Sequence, residues 1–463
     1  MQSAVPDPLE VPVSVDAPAG PIVGRAVHGV NTFLGIPYAE APYGERRFAL
    51  PVPRADFTEP FYASAYGATP QRVPLFTTTT VPEPTIPGDD VLSINIFAPA
   101  TGAAGSAPVL VWVHGGAFAG GSAASPWYDG SGFAREGVVL VSVSYRLAVE
   151  GFAPLDDVPT NLGLRDVILA LQWIQKNIAA FGGDPGQVTL AGQSAGGGIA
   201  LALMSSPATV GLMHRVVSIS GGTFALERNT VMGSVSRIAN FLGIPPTFEG
   251  FSARSDGDVQ QAIVDLRIRE NTPPLTLSPV VGDDLLPTDI ATGLAQHNLH
   301  LPLLVGSALD EFDGGPTAED PDRRQLSDAE RAEARASGRR VSDFLFRSAV
   351  PRCAAARTNA DGGTWSYSFE WPNPLLGGAT HCTDLPFFFD ALDAPGVVDA
   401  LGESAPTELA DVMHADLLAF VRGNESAWPQ ANGALGAASR VYGRVGSTFT
   451  TDILGVYDPV TPT

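Results

Sequence analysis

The sequence predicts an α/β protein built on a mostly parallel, doubly wound central sheet. Short apolar runs at 108–113, 138–145, 215–220 and 301–306 read as strands buried on both faces. They alternate with helical patterns, the longest over 161–180, where Leu164, Val167, Ile168, Leu171, Ile174 and Ile178 share one stripe and Gly182-Gly183 ends it. That alternation is the signature of a parallel sheet covered on both sides. The centre of the chain is Gly192-Gln193-Ser194-Ala195-Gly196, set between a strand at 187–191 and a buried apolar helix at 199–204. Glycines on either side of the serine permit a tight strand-to-helix turn that points its hydroxyl outward. At a helix N-terminus, free N–H groups and the helix dipole favour a developing oxyanion.

The elements follow in order. Residues 1–23 are rich in Pro and Val and read as an edge strand or arm, and 24–37 alternates about a Gly-rich centre as a hairpin. Residues 51–88, dense in Pro and Thr, read as a long surface loop, and 89–99 as a strand. The strand at 108–113 runs into His114-Gly115-Gly116-Ala117-Phe118. Beyond the central motif, 222–298 is helical and irregular, and 318–347 is charged and then amphipathic. A strand at 364–371 and a helix at 407–422 close the chain. There is no internal repeat.

Composition narrows the function. The 463 residues carry a net charge of -22, which excludes the basic face that nucleic acid needs and opposes docking on anionic membranes. Lys176 is the only lysine. No apolar run reaches the roughly 18 residues of a membrane span. Cys353 and Cys382 are too few for a disulfide framework and read as two free thiols. With no basic and apolar leader at the N-terminus, the expected location is cytoplasmic, the alternative being a secreted protein whose leader has been removed. A P-loop would need Gly-Lys-Ser/Thr, but Lys176 precedes Asn177; neither a dinucleotide fingerprint nor H-E-x-x-H occurs. The expected cofactors and metals are therefore none.

The run from Phe181-Gly182-Gly183 through Ser194 to Gly197 resembles the serine signature of the type-B carboxylesterases, the family that also holds the cholinesterases. Phe33-Leu34-Gly35-Ile36-Pro37-Tyr38-Ala39 resembles its N-terminal run, and 89–99 its second signature. Many relatives have cysteine where Val91 stands and an aromatic residue at Ser93, so the disulfide some of them build there is absent. The resemblance implies one α/β-hydrolase domain over 1–463, with cap-like insertions around 222–298 and 313–347.

A serine nucleophile needs a base, an orienting acid and oxyanion donors. Of seven histidines, His297, His300, His381 and His414 come late enough for the chain order of this fold. His381 alone lies on a Gly-rich loop after a predicted strand, and Gly378-Ala379-Thr380-His381-Cys382-Thr383-Asp384-Leu385-Pro386 resembles the family's histidine motif. The acid should follow the strand at 301–306, where Asp310 and Glu311 both stand. Resemblance to a "D-E-G" motif selects Glu311, although Phe312 replaces its glycine; Asp310 is the alternative. The oxyanion donors are the N–H of Ala195 and, by resemblance, those of Gly116 and Ala117, with Ala117 where many relatives have a third glycine. His114 is assigned a structural role. Cys382 beside His381 offers a thiol reading, set aside because adjacent side chains point apart. Gly115, Phe118, Phe312, Phe387 and Phe388 are candidate lining of an apolar substrate pocket.

The expected function is a cofactor-independent serine esterase that hydrolyses small to medium, largely apolar esters through an acyl-enzyme. Its expected partner is that small molecule, bound by a monomer or homodimer, with neither nucleic acid nor membrane. Carbamate, amide or lipase chemistry on the same triad is the alternative. A non-catalytic, cholinesterase-like binding protein is the alternative of another class, opposed by the presence of Ser194, Glu311 and His381.

Overall fold

The computed structural model describes residues 11–76, 79–101, 105–270, 277–312, 327–424, 426–431, 439–443, 447–450 and 457. Among them one sheet contains thirteen strands. In chain order these are β1 (Val11–Ala17), β2 (Gly20–Val27), β3 (Val30–Pro37), β4 (Phe61–Tyr62), β5 (Ser93–Pro99), β6 (Ala107–Val113), β7 (Val139–Val143), β8 (Gly183–Gln193), β9 (Arg215–Ile219), β10 (Leu303–Ala308), β11 (Thr364–Phe369), β12 (Ser439–Tyr442) and β13 (Ser447–Thr450). Their spatial order is β1-β2-β3-β5-β7-β6-β8-β9-β10-β11-β12-β13, with the two-residue β4 alongside β2. The strands from β7 to β12 run parallel; β1, β2, β3 and β5 at one side and β13 at the other pair antiparallel.

The period of two along each strand builds two separate cores. Val109, Val111 and Val113 of β6 point to one side and join Val139, Val141, Leu190 and Val305. There the helix Leu162–Asn177 lays Leu164, Val167, Leu171 and Ile174 over them, on the predicted stripe. Leu110 and Trp112 point to the other side, with Leu140 and Leu304, under Met413, Leu417 and Val421 of the helix Thr407–Val421. Continuous apolar runs are what a sheet covered on both faces requires, and that is why these strands were legible.

Two stretches differ from expectation. β8 begins at Gly183 rather than 187, because Gly183 pairs with Ala107 of β6 across a register shift, after which the ladder resumes at Val109 and Val188. The stretch 51–88 is not all surface: Thr69, Gln71, Leu75 and Val81 are buried. Its Gln71 accepts from Gly121 N–H at 2.8 Å and donates to Thr85 Oγ1 at 3.1 Å, so a segment that looks like loop filler braces the loop after β6. The insertion at 222–298 holds the helices Arg228–Leu242, Phe248–Ser252, Asp256–Glu270 and Ile290–Leu294, with 271–276 outside the described residues. Of the second insertion, 313–326 lies outside them; the remainder is a helix, Asp328–Ser342, running into a π-helical turn, Asp343–Arg347. Among the described residues no helix is long and apolar enough to cross a membrane.

Candidate active site

All the candidate groups sit where parallel strands end, at the carboxyl edge of the sheet. The loop after β6 carries Gly115-Gly116-Ala117, the turn after β8 carries Ser194, the loop after β10 carries Glu311, and the chain beyond β11 carries His381. A crevice outside the carboxyl ends of such strands is where open α/β sheets bind ligands.

Ser194 is the N-cap of the helix Ala195–Met204, with φ 56° and ψ -122°, a strained backbone for a non-glycine residue. The elbow is held by backbone bonds: Ser194 N–H donates to Ile219 O at 2.9 Å, and its own carbonyl accepts from Gly198 N–H at 2.9 Å. Glycine is required on both sides of the serine by space alone. A Cβ at Gly196 would lie 2.0 Å from Val113 O, and one at Gly192 would lie 2.4 Å from the Gly196 carbonyl.

The loop after β6 is fixed the same way. Gly116 has φ +113°, and a Cβ there would lie 2.1 Å from Gly120 O. Ala117 and Phe118 follow with φ of 52° and 61°, conformations costing on the order of 1–2 kcal/mol each for L residues. The turn persists because Ala119 and Gly120 N–H both donate to Gly116 O, at 2.9 and 2.8 Å, while Phe118 O accepts from Ala148 N–H at 2.7 Å. Among the described residues the N–H groups of Gly116, Ala117 and Ala195 donate to no protein acceptor, as an oxyanion site requires. His114 is buried, stacked on Tyr145 at 4.7 Å, with Nδ1 donating to Gly115 O at 2.7 Å. Burial pushes its pKa down to about 4, so it is a neutral brace for the loop.

The acid and base are joined through side chains. His381 Nδ1 bonds Glu311 Oε2, while Oε1 of the same buried carboxylate accepts from Ala308 N–H at 2.9 Å. His381 N–H donates to Glu311 O at 2.8 Å. Of the two acids the sequence offered, Glu311 therefore meets the histidine. Asp310 instead buckles the two loops together: its N–H donates to Ala379 O at 2.9 Å, and its Oδ2 accepts from Ala379 N–H at 2.9 Å. Its Oδ1 pairs with Arg339 of the helix Asp328–Ser342 at 2.9 Å. Phe312 does not disturb this geometry. It stacks on the imidazole at 5.0 Å and donates its N–H to Ser342 Oγ at 2.9 Å. Phe346 of the π-helical turn packs on the same imidazole at 4.8 Å.

Ser194 and His381 are not joined by a hydrogen bond among the described residues. His381 Nε2 faces Gln193 Nε2 at 3.2 Å, and the same amide donates to Cys382 Sγ at 3.1 Å. The expectation that Cys382 points away from His381 is thus corrected: the left-handed φ of 70° at Cys382 turns both side chains toward Gln193. Two other expectations are corrected. Phe387 packs on Phe369 and Trp371, and Phe388 on Tyr367 and Tyr442, so both are core and not pocket lining. Phe118 is also buried, against Phe152. Phe312 is 46% exposed beside the imidazole. The remaining late histidines stand elsewhere: His414 bonds Phe388 O at 2.8 Å, and His297 and His300 precede β10, at the opposite end of the sheet.

Burial disfavours an imidazolium at His381, but Cys382 and Glu311 outweigh it and hold its pKa well above the usual histidine value. Burial pushes the Cys382 thiol up, against the pull of the neighbouring imidazolium in the other direction. Asp384, fully buried behind the pair, is pushed up to about 7 by burial and by Glu311. Gln193, Phe346 and Asp384 were missed as site residues. For Gln193 the available signal was a polar side chain at the end of a strand buried on both faces, which has to be satisfied by something nearby.

A mostly parallel sheet in this order, with a strained serine elbow and a paired acid and histidine along its carboxyl edge, defines an α/β-hydrolase. Residues 11–336 match the carboxylesterase family, and the chain belongs to it. The para-nitrobenzyl esterase of Bacillus subtilis is 33% identical over 431 residues, covering 85% of this chain and 84% of its own. The phenmedipham hydrolase of Pseudarthrobacter oxydans is 32% identical over 456 residues, covering 87% and 88%. Among solved structures, a carboxylesterase of Geobacillus stearothermophilus superposes with a TM-score of 0.82 at 29% identity, covering 96% of this chain and 98% of its own. The protein is accordingly a carboxylic ester hydrolase.

Proposed function

We propose that Ser194, His381 and Glu311 form the catalytic triad and that Gly116, Ala117 and Ala195 hold the oxyanion. The observation that carries this reading is the Glu311–His381 pair on the carboxyl edge that also presents the Ser194 elbow. Ser194 Oγ attacks the ester carbonyl as its proton passes to His381 Nε2. The tetrahedral oxyanion takes the three free N–H groups, which together do the largest share of stabilisation. Collapse breaks the bond to the alcohol, which leaves with the proton from His381. Water, deprotonated by His381, then opens the acyl-enzyme and releases the acid. Glu311 holds the imidazole tautomer and stabilises the imidazolium without taking its proton. Phe312 and Phe346, ranged against the base, put apolar surface beside it, which supports a largely apolar ester as substrate. The similarity to a phenmedipham hydrolase supports a second reading, in which the same groups open a carbamate.

The test is the initial rate on p-nitrophenyl esters from acetate to laurate, with Ser194→Ala as control. Turnover abolished by the substitution and greatest for short and medium acyl chains is the expected result. Undiminished turnover in a folded Ser194→Ala variant would remove the serine assignment. A preference for laurate over butyrate would replace the substrate class with a lipase-like one.

A further inference from the structure

Gln193 is only 1% exposed, inside the turn that presents the nucleophile. A buried primary amide must place its donors, and this one has two acceptors within reach: His381 Nε2 at 3.2 Å and Cys382 Sγ at 3.1 Å. Space for it is built in, since a Cβ at Gly115 would stand 2.7 Å from Gln193 Oε1. Because Nδ1 of the neutral imidazole donates to Glu311, Nε2 carries a lone pair, and the Gln193 NH2 group is the end of the amide that satisfies it. That lone pair is the one that must receive the Ser194 proton.

We propose that Gln193 is a positioning residue that holds His381 in its neutral, proton-accepting form, with Cys382 as its second anchor, and yields Nε2 to Ser194 when substrate binds. The physical basis is donor matching. An amide N–H satisfies a neutral Nε2, but faces Nε2–H with a second donor once the imidazole is charged, so Gln193 opposes the imidazolium that Glu311 favours. The titratable groups facing the ring are Glu311 from the acid loop and Cys382 and Asp384 from its own loop; the acid loop also presents the ring of Phe312, and the π-helical turn that of Phe346. The elbow supplies Ser194 and Gln193. The left-handed backbone at Cys382 serves this arrangement by bringing its sulfur to the same amide.

The inference rests on the proposed roles of Ser194 and His381, and Ser194→Ala tests those separately. The experiment for Gln193 is the pH dependence of kcat/KM for wild type, Gln193→Glu and Gln193→Met. Glutamate keeps the shape but accepts from Nε2–H and adds a charge, so the acid limb should move up by about one pH unit or more. Methionine fills the space with no donor, so the limb should move in the same direction by less. A purely structural role for Gln193 would lower the plateau without moving the limb. Acid limbs that overlay wild type in the folded variants would overturn the proposal, and methionine alone decides it if the glutamate variant does not fold. Loss of all ester turnover dependence on Ser194 would instead remove the reading on which it stands.

Discussion

The two sides of the site are held by different kinds of force. On the nucleophile side, Ser194, Ala195, Gly116 and Ala117 are fixed by main-chain bonds and by glycines whose missing Cβ atoms leave room for carbonyls 2.0–2.4 Å from where those atoms would be. On the side of the proposed base, Glu311 and His381 are fixed largely through side chains: a carboxylate with both oxygens engaged, two aromatic rings on the imidazole, an amide from Gln193 and a tie to the helix Asp328–Ser342 through Asp310. A backbone-built site offers one geometry or none. A side-chain-built site offers graded change, and it is the part that responds to pH, salt and substitution.

Substitutions along this divide sharpen the contrast. Ser194→Ala should lower kcat by on the order of 10⁶ with an unchanged thermal midpoint, read by initial rates and calorimetry. Glu311→Gln keeps the shape but not the charge, and should cost on the order of 10⁴ in kcat. Gly196→Ala should instead strike the fold, because its methyl has only the Val113 carbonyl to enter; a loss above about 4 kcal/mol in denaturant unfolding is expected, and a well-folded variant would break the comparison.

The pH dependence belongs to the base side. As the proposed base, His381 would have to be neutral to accept a proton and its pKa is raised, so kcat/KM should climb as pH rises through a value above the usual histidine range. Stability should run the other way. The raised His381 contributes stability that is full below its unfolded pKa and lost as pH rises through the folded one. Asp384, at about 7 when folded, binds its proton more tightly in the native state than in the unfolded chain. Stability therefore falls as pH rises from the ordinary carboxyl range toward 7, by at most about 1.4 kcal/mol per pH unit from this group. Asp384→Asn should flatten that part of a thermal-midpoint profile, and an unchanged slope would show that Asp384 is ionised throughout. The smallest effect is expected from Arg339→Ala. The guanidinium is 48% exposed, so losing its pair with Asp310 should cost under about 1 kcal/mol and leave kcat nearly unchanged.

The same divide explains what could be read from the sequence. The sheet was legible because β6, β7, β9 and β10 are apolar on both faces, and the elbow because Gly192 and Gly196 answer a need for space that is local to the turn. Glu311 and His381 were found through their place after strands and their resemblance to family motifs, and they do meet. What escaped was built by contacts distant in sequence. Gln193 meets Cys382 across 189 positions, Gln71 braces Gly121, and Phe346 reaches the imidazole from a π-helical turn whose sequence looks like an ordinary amphipathic helix. Phe387 and Phe388 misled for a related reason: aromatics beside a site motif fill the core when the short helix that carries them turns inward.

The two-sided grip of Asp310 sets a rule for remodelling. One carboxylate oxygen belongs to the loop that carries His381 and the other to the helix Asp328–Ser342, while Ser342 at the end of that helix receives Phe312 N–H. The helix therefore plugs into the loop that carries Glu311 at Arg339 and Ser342. A replacement of that helix that keeps both contacts would change the surface beside the imidazole while inheriting the placement of the loops that hold it. A replacement lacking only the exposed Arg339 pair would lose little, whereas one lacking the Ser342 hydroxyl would leave the Phe312 N–H beside the imidazole without its acceptor.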